Sequence, residues 1–333
     1  MSEPFVTVVI ATRDRPKLFR VAADSVLNQT EQAFALIVVN DGSASFHAAE
    51  YEAHFEHLGE LLGDRLKVCR LEARPRGHGQ SYAFNAGVAL ARTPFVTFLD
   101  DDDEWIDAEY LARVRAITAA DDADMVMSNQ RAWFQGEPIS GGIWLSGLEA
   151  QLRSQGRSAD ANGAYEATAD DLAGTSGFCH LNVLVVRRAL FQQIGGMDEG
   201  IRWECDRDLL LRLYDHAGRM LHHPAIVSRH NVPDPAATSN MTTALSMIEK
   251  RLFQLRVLDK AALFARHPSI RAHGRLHKGY VLKRMAEELA AARRWRDARW
   301  LATQALGASP TIKWAGFTLY CLLRAIMQRD ESA

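Results

Sequence analysis

Four short runs of β-branched and aromatic residues, each leading into a polar turn, constrain the first hundred residues more than any other feature. VTVVIA (6–11) is a continuous apolar run, the pattern of a strand buried on both faces of a parallel sheet. ALIVVN (35–40) repeats it and stops at Asp41-Gly42-Ser43, a turn signal. LKVCRL (66–71) is the third run, and TPFVTFL (93–99) is the fourth. Helical segments separate them. Pro16 opens one that carries Leu18, Phe19, Val21, Ala22, Val26 and Leu27; a second, rich in acidic and His residues, spans 46–62; SYAFNAGVALA (81–91) is a third. This alternation predicts an α/β fold, a doubly wound Rossmann-like sheet that binds its ligand at the carboxyl ends of the strands. It is not the dinucleotide-binding version. The first turn, ATRDRP, has no glycine, and Gly77-His78-Gly79 lacks a third glycine in register.

Past residue 110 the pattern changes. MVMSNQ (125–130) reads as a strand, and 136–176, rich in Gly, Ser, Ala and Asp, as a long, partly mobile loop system. NVLVVRRALFQQIGGMDE (182–199) reads as a strand, then a helix beginning at Arg187 and Arg188, then a Gly-Gly stop. From 240 to 327 almost every segment is helical. RMAEELAAARRWRDARWLATQAL (284–306) reads as a helix–turn–helix around a charged break. WAGFTLYCLLRAIM (314–327) is interrupted by Arg324 and is too short to span a bilayer; it suits a buried terminal helix or a patch resting on a membrane. The expected organisation is one domain over 1–235 and a helical region over 236–333.

The totals narrow the function class. In 333 residues, 39 basic side chains stand against 41 acidic ones, which gives no overall field to attract nucleic acid. Cys69, Cys179, Cys205 and Cys321 are scattered without a Cys-x-x-Cys pair, which argues against structural zinc and fits a reducing compartment. No basic segment followed by a long apolar stretch opens the chain, so no secretory signal is expected. A cytoplasmic location follows, at the inner face of the membrane if the terminal helix rests on lipid.

The chemistry concentrates in acidic clusters. Asp100 to Asp103 are four consecutive carboxylates at the end of a strand. Like charges this close repel, and a divalent cation such as Mg2+ or Mn2+ removes that cost; an acidic turn capping the next helix is the plainer alternative. Asp41, in the turn after a buried strand, can accept from a base edge such as the uracil N3–H, or cap a helix. In WECDRDLLLRL (203–213), Glu204, Asp206 and Asp208 precede a helix; they can complement its dipole, or one can act as general base toward a hydroxyl. His222 and His223 precede Pro224, while His230 ends a strand-like segment, where it can join a cation or serve as an ordinary hydrogen-bonding His. Arg13, Arg74 and Arg76 lie in loops able to hold a diphosphate.

VTVVIATRDRP, ALIVVNDGS, FLDDDDEW and CDRDLLLRL resemble, in order and spacing, the signature blocks of glycosyltransferase family 2, over roughly 1–235. The resemblance implies a GT-A fold, a mixed doubly wound sheet, here with a C-terminal helical appendage. It also implies an inverting, metal-dependent sugar transfer from a nucleotide-sugar donor to a hydroxyl acceptor. On that basis Ala11, Thr12 and Asp41 hold the nucleoside, with Arg13, Arg76, Asn85, Asp100 and Asp101 completing the nucleotide-sugar site. The family's Asp-x-Asp motif maps onto Asp100-Asp101-Asp102, so Asp102 and Asp100 are expected to hold Mg2+ or Mn2+, with His230, from its place at a strand end, as a further ligand. Asp206 is the base and Glu204 its competitor, because Cys205 stands where the family has a Glu. Asn40 replaces the first Asp of the family's Asp-Asp-Gly-Ser turn, and Phe84-Asn85 its Arg-Asn pair. Asp41 facing a pyrimidine N3–H implies UDP- or dTDP-sugar donors. The acceptor class, whether glycan, lipid-linked oligosaccharide or protein, stays open, with bacterial surface glycan assembly the family's favoured setting. The helical region is expected to serve acceptor recognition, a homo-oligomer or a peripheral membrane contact. Two other readings are weighed. A nucleotidyltransferase would carry a glycine-rich first turn, and a non-catalytic scaffold working through its helical tail would have no reason to keep the acidic clusters.

Overall fold

A computed structural model describes residues 3–120, 122–139, 144–232 and 245–330 of the chain, the side chains of 328–330 excepted. The packing divides the chain into two compact units, Met1–Ala237 and Thr238–Ala333. The expected boundary at 235 lies outside the described residues.

The first unit is built on β1 (Val6–Thr12), α1 (Pro16–Leu27), β2 (Phe34–Asn40), α2 (Ala48–Leu62), β3 (Leu66–Arg70), α3 (Gln80–Leu90) and β4 (Phe95–Asp100). β5 (Glu104–Trp105), α4 (Tyr110–Ala120), β6 (Met125–Phe134), β7 (Glu137–Pro138), α5 (Leu148–Ser154), β8 (Tyr165–Ala167) and α6 (Ala169–Gly174) follow. β9 (Leu184–Arg187), α7 (Arg188–Gln193), α8 (Cys205–His216) and β10 (Met220–Asn231) complete it. The sheet order is β3-β2-β1-β4-β9-β6-β10-β5. β3, β2, β1 and β4 run parallel, β9 runs antiparallel between β4 and β6, and β10 returns parallel to β6. This is a mixed sheet of GT-A type. Val6, Val8, Val9 and Ile10 of β1 are completely buried, which is what the uninterrupted apolar run requires.

One expectation is corrected. The Gly- and Ser-rich stretch does not run to 176 as loop; only its residues 140–143 lie outside the described ones. Leu145, Leu148 and Leu152 recur at helical spacing and are fully buried, so α5 is anchored to the core. β8 pairs with β10, and α6 opens with a reciprocal capping box between Thr168 and Asp171. A high content of small residues concealed this core, because one buried leucine per turn suffices to fix a short helix.

The second unit is helical: α9 (Met247–Phe264), α10 (Pro268–Ala291), α11 (Trp295–Ala308) and α12 (Ile312–Asp330). The charged break falls at Arg293, whose φ of 58° ends α10. Leu282, Met285, Ala286, Leu301, Ala302, Ala305 and Trp314 form its core, and the Trp314 indole N–H donates to the Ala302 carbonyl at 2.9 Å. No described helix is long and apolar enough to cross a membrane.

Candidate active site

Parallel register brings three strand tips together: Thr12 of β1 stands opposite Asn40 of β2, and Ala11 opposite Asp100 of β4. The loops leaving these tips are tied to one another. Asp14 accepts from the Ala44 amide at 2.7 Å, and Arg13 donates to the carbonyls of Arg74 and Pro75 at 3.0 and 3.3 Å. Arg76 is exposed beside them.

Asp41 organises the glycine loop. Its carboxylate accepts from the amides of His78 at 2.8 Å and Gly79 at 3.0 Å, while its own amide donates to the Thr12 carbonyl at 2.9 Å. Two carboxylate oxygens offer about four acceptor positions, so these bonds leave room for one more donor. Gly77 makes the arrangement possible: its φ is +60°, and a Cβ there would overlap the Asp41 carboxylate and lie 2.8 Å from the Arg13 guanidinium. Gly77→Ala is therefore expected to cost about 2 kcal/mol in a denaturant titration.

The aspartate run divides into two pairs with different partners. Asp101 and Asp102 turn toward α1. Arg15 pairs with Asp101 and, at 2.7 Å, with Asp102, and the Thr12 hydroxyl donates to Asp101 at 2.6 Å. Tyr51 joins this network through the Thr12 hydroxyl at 2.7 Å. Burial pushes the Asp101 carboxyl upward against the pull of Arg15, while the Arg15 guanidinium, despite its own burial, is held charged by Asp101 and Asp102.

Asp100 and Asp103 turn the other way. They and His180 place ligand atoms within 4.8 Å of one another. Burial, reinforced by Asp103 and Asp102, holds the Asp100 carboxyl well above the ordinary range. Burial also pushes His180 down to about 4, with His230 adding to the effect, which leaves its imidazole neutral. Asp103 is fixed by three donors: the Asn182 amide at 2.5 Å, His230 Nδ1 at 2.8 Å and the Asn231 amide at 2.7 Å. The hydrogen bond from His230 to Asp103 raises the His230 pKa in spite of burial. With Nδ1 engaged on a carboxylate, His230 has the orientation that metal-binding histidines commonly adopt. These residues fit a hard divalent cation: oxygen and neutral imidazole donors converge, and Asp100 carries the like-charge cost that a cation relieves. The expected ligand set thus meets the geometry unevenly. Asp100 lies in the cluster, His230 abuts it through Asp103, and Asp102 is ion-paired to Arg15.

The amino end of α8 reaches the cluster by a short relay. Gln80 donates to Asp100 at 2.6 Å, and the Cys205 thiol donates to the Gln80 carbonyl oxygen at 3.3 Å. The adjacent Asp206 accepts from the Arg207 amide at 2.8 Å, and burial raises its pKa. Glu204, with a φ of 57°, faces Arg207 at 3.4 Å. Asp208 is structural, paired with Arg212 at 2.6 Å. Cys205 is pushed up to about 12 by burial and Asp206, so its thiol stays protonated.

Asn85 is not brought to this cluster. Its amide donates to the Met197 carbonyl at 3.0 Å and to Glu199 at 2.9 Å, and its oxygen accepts from the Met197 amide at 2.8 Å, which makes it a clamp on the loop after α7. Sequence reasoning missed Arg15, Gln80, Asn182 and His180. Only His180 left a signal, a His just ahead of the apolar run LNVLVV.

The sequence model of glycosyl transferase family 2 matches residues 7–195. The Bacillus subtilis protein EpsH, named as a glycosyltransferase, is 31% identical over 135 residues, 40% of this chain and 36% of its own length. The chain therefore spans about a third of that relative. Among solved structures, Staphylococcus aureus TarS 1-349 in complex with UDP-GlcNAc superposes with a TM-score of 0.66 at 16% identity, over 96% of this chain and 87% of that one. The mannosyltransferase PcManGT of Pyrobaculum calidifontis, in complex with GDP-Man and Mn2+, gives a TM-score of 0.57 at 18% identity, over 98% and 87%. At such identities the likeness is one of fold, and that fold is the one the strand order describes. With the family match covering more than half of the chain, this protein belongs to glycosyltransferase family 2.

Proposed function

We propose that this enzyme transfers a sugar from a UDP- or dTDP-sugar to an acceptor hydroxyl with inversion at the anomeric carbon. Bacterial surface glycan assembly is the setting the family implies. The observation that carries this reading is the relay Asp100–Gln80–Cys205, which ties the acidic cluster to the amino end of α8, where Asp206 follows Cys205 with its carboxyl pKa raised by burial. Asp41, Thr12 and Ala11 line the nucleoside side, where Asp41 retains an acceptor position for a pyrimidine N3–H. Arg13 and Arg76 stand over the diphosphate side.

Asp100, His180 and Asp103 would hold Mg2+ or Mn2+, with Asp102 and His230 flanking them. Once bound, the ion supplies Lewis-acid neutralisation of the leaving diphosphate. The chain's own groups do the rest. Asp206 takes the acceptor's hydroxyl proton as the new bond to the anomeric carbon forms and the bond to the diphosphate oxygen breaks. A raised pKa brings its basicity nearer to neutral pH, where a general base is most effective. Donor and acceptor held at one sheet edge supply further rate by proximity.

Calorimetric titration with UDP, dTDP and GDP, each with and without Mn2+, tests the reading. Metal-dependent binding of a pyrimidine diphosphate is expected. Tighter binding of GDP would overturn the role given to Asp41, and no nucleotide binding at all would overturn the donor site.

A further inference from the structure

We infer that the outer face of α12, with Trp300 of α11, docks this protein on an anionic lipid surface. Near-neutrality of the whole chain conceals a strong division of charge. Residues 1–237 carry 22 basic against 34 acidic side chains, whereas residues 238–333 carry 17 basic against 7 acidic. Such asymmetry between the parts of a chain points to a charged partner for the basic part.

The helical unit also displays apolar side chains that its own core does not use. α12 is apolar on two sides. Trp314, Cys321 and Ala325 face inward and are buried. On the opposite side Ile312, Leu319, Tyr320, Leu323, Ile326 and Met327 are exposed, from 49% for Tyr320 to 95% for Ile312. Trp300 is 65% exposed, and with Thr303, Ala315, Leu319 and Leu322 it lines a cleft of about 620 Å3 between α11 and α12. Basic side chains border this face: Arg296 and Arg299 flank Trp300, and Lys313 follows Ile312, all exposed. Arg324 points its guanidinium over Trp295, 5.0 Å from the ring, and so stays out of the stripe.

Charge and apolarity together select the occupant. A second copy pairing through the same face would set two basic units against each other. A soluble polyanion would engage the arginines but leave the apolar stripe in water. An anionic bilayer satisfies both, with aliphatic side chains and Trp300 entering the headgroup boundary while Arg and Lys meet phosphate. The helix lies in the interface rather than across it, because no described helix can span the hydrocarbon.

Vesicle flotation of the full chain tests this. The protein is expected to float with phosphatidylcholine vesicles containing about a third phosphatidylglycerol, and not with phosphatidylcholine alone. High salt should weaken the binding, since surface charges are screened beyond a Debye length of ~10 Å at 0.1 M. Leu319→Asp combined with Leu323→Asp should lower partitioning on the order of 100-fold, with far-UV circular dichroism and the melting temperature unchanged. Arg296→Glu combined with Arg299→Glu should weaken it about fivefold per arginine and flatten the salt dependence. Equal flotation of the aspartate variant and the unaltered chain would overturn the inference. So would a dimer in light scattering that Leu319→Asp dissolves while vesicles are ignored, or retention on heparin without flotation.

Discussion

Asp206→Asn is expected to slow sugar transfer by orders of magnitude while leaving donor binding intact. The amide keeps the shape of the side chain and can still accept from the Arg207 amide, so α8 should start where it does now. What it loses is the ability to take a proton, and removal of a general base typically costs on the order of 100- to 10,000-fold in rate. The pH profile adds an independent check. Because burial raises the Asp206 pKa, its base form grows in at higher pH than that of an ordinary Asp. Activity should rise with pH along an acid limb displaced upward, and the variant's residual activity should lack that limb. A rate within threefold of the parent, with the limb retained, would transfer the role to Glu204. Glu204→Gln then becomes the decisive variant, since its carboxylate faces Arg207 3.4 Å away.

The second large effect belongs to Asp100. Asp100→Asn should lose metal-dependent transfer by at least about 100-fold, with a matching rise in the Mn2+ concentration needed for half activity. Its effect on the metal-free protein should run the other way. The Asp100 carboxyl is raised by burial and by Asp103 and Asp102, so its folded pKa lies above its unfolded one. Ionising it in the folded state therefore opposes folding, and the opposition grows as pH climbs from the unfolded pKa toward the folded one. At neutral pH the neutral amide removes that repulsion and should melt above the unaltered metal-free protein. A chelator should lower the melting temperature of the unaltered protein but not that of the variant. A variant that keeps metal-dependent activity, or melts lower without metal, would sink the role of Asp100 as a ligand.

Much of the fold was legible because its signals are local. Val8, Val9, Leu36, Val38, Phe98 and Leu99 are buried where continuous apolar runs place them, and Pro16 begins α1 as its fixed φ suggests. Element order along 1–100 followed from these runs alone. The position of β9, antiparallel between β4 and β6, was not legible, because strand order is set by long-range pairing that leaves no mark on a four-residue segment. The candidate site divides in the same way. Asp41, Asp100 and Asp206 stand out as carboxylates at strand and helix ends. The division of the aspartate run could not be read, since Asp101 and Asp102 differ from Asp100 and Asp103 only in whether Arg15 or Asn182 reaches them across the sheet edge. Gln80 and His180 have the same explanation: each owes its place to a partner distant in sequence.

Arg15 also bears on the order in which this enzyme is assembled. A loop of four aspartates with no internal cation would close only when metal arrived, and folding would then depend on supply of the ion, as it does in small zinc domains. Here half of the run is paired with a cationic side chain the protein carries with it. The polypeptide can complete the tip of β4 first, and the ion of the proposed site would load afterwards. On the proposed reading, an ion leaving the Asp100–Asp103–His180 cluster would then empty a preformed seat without dismantling the sheet edge beneath it.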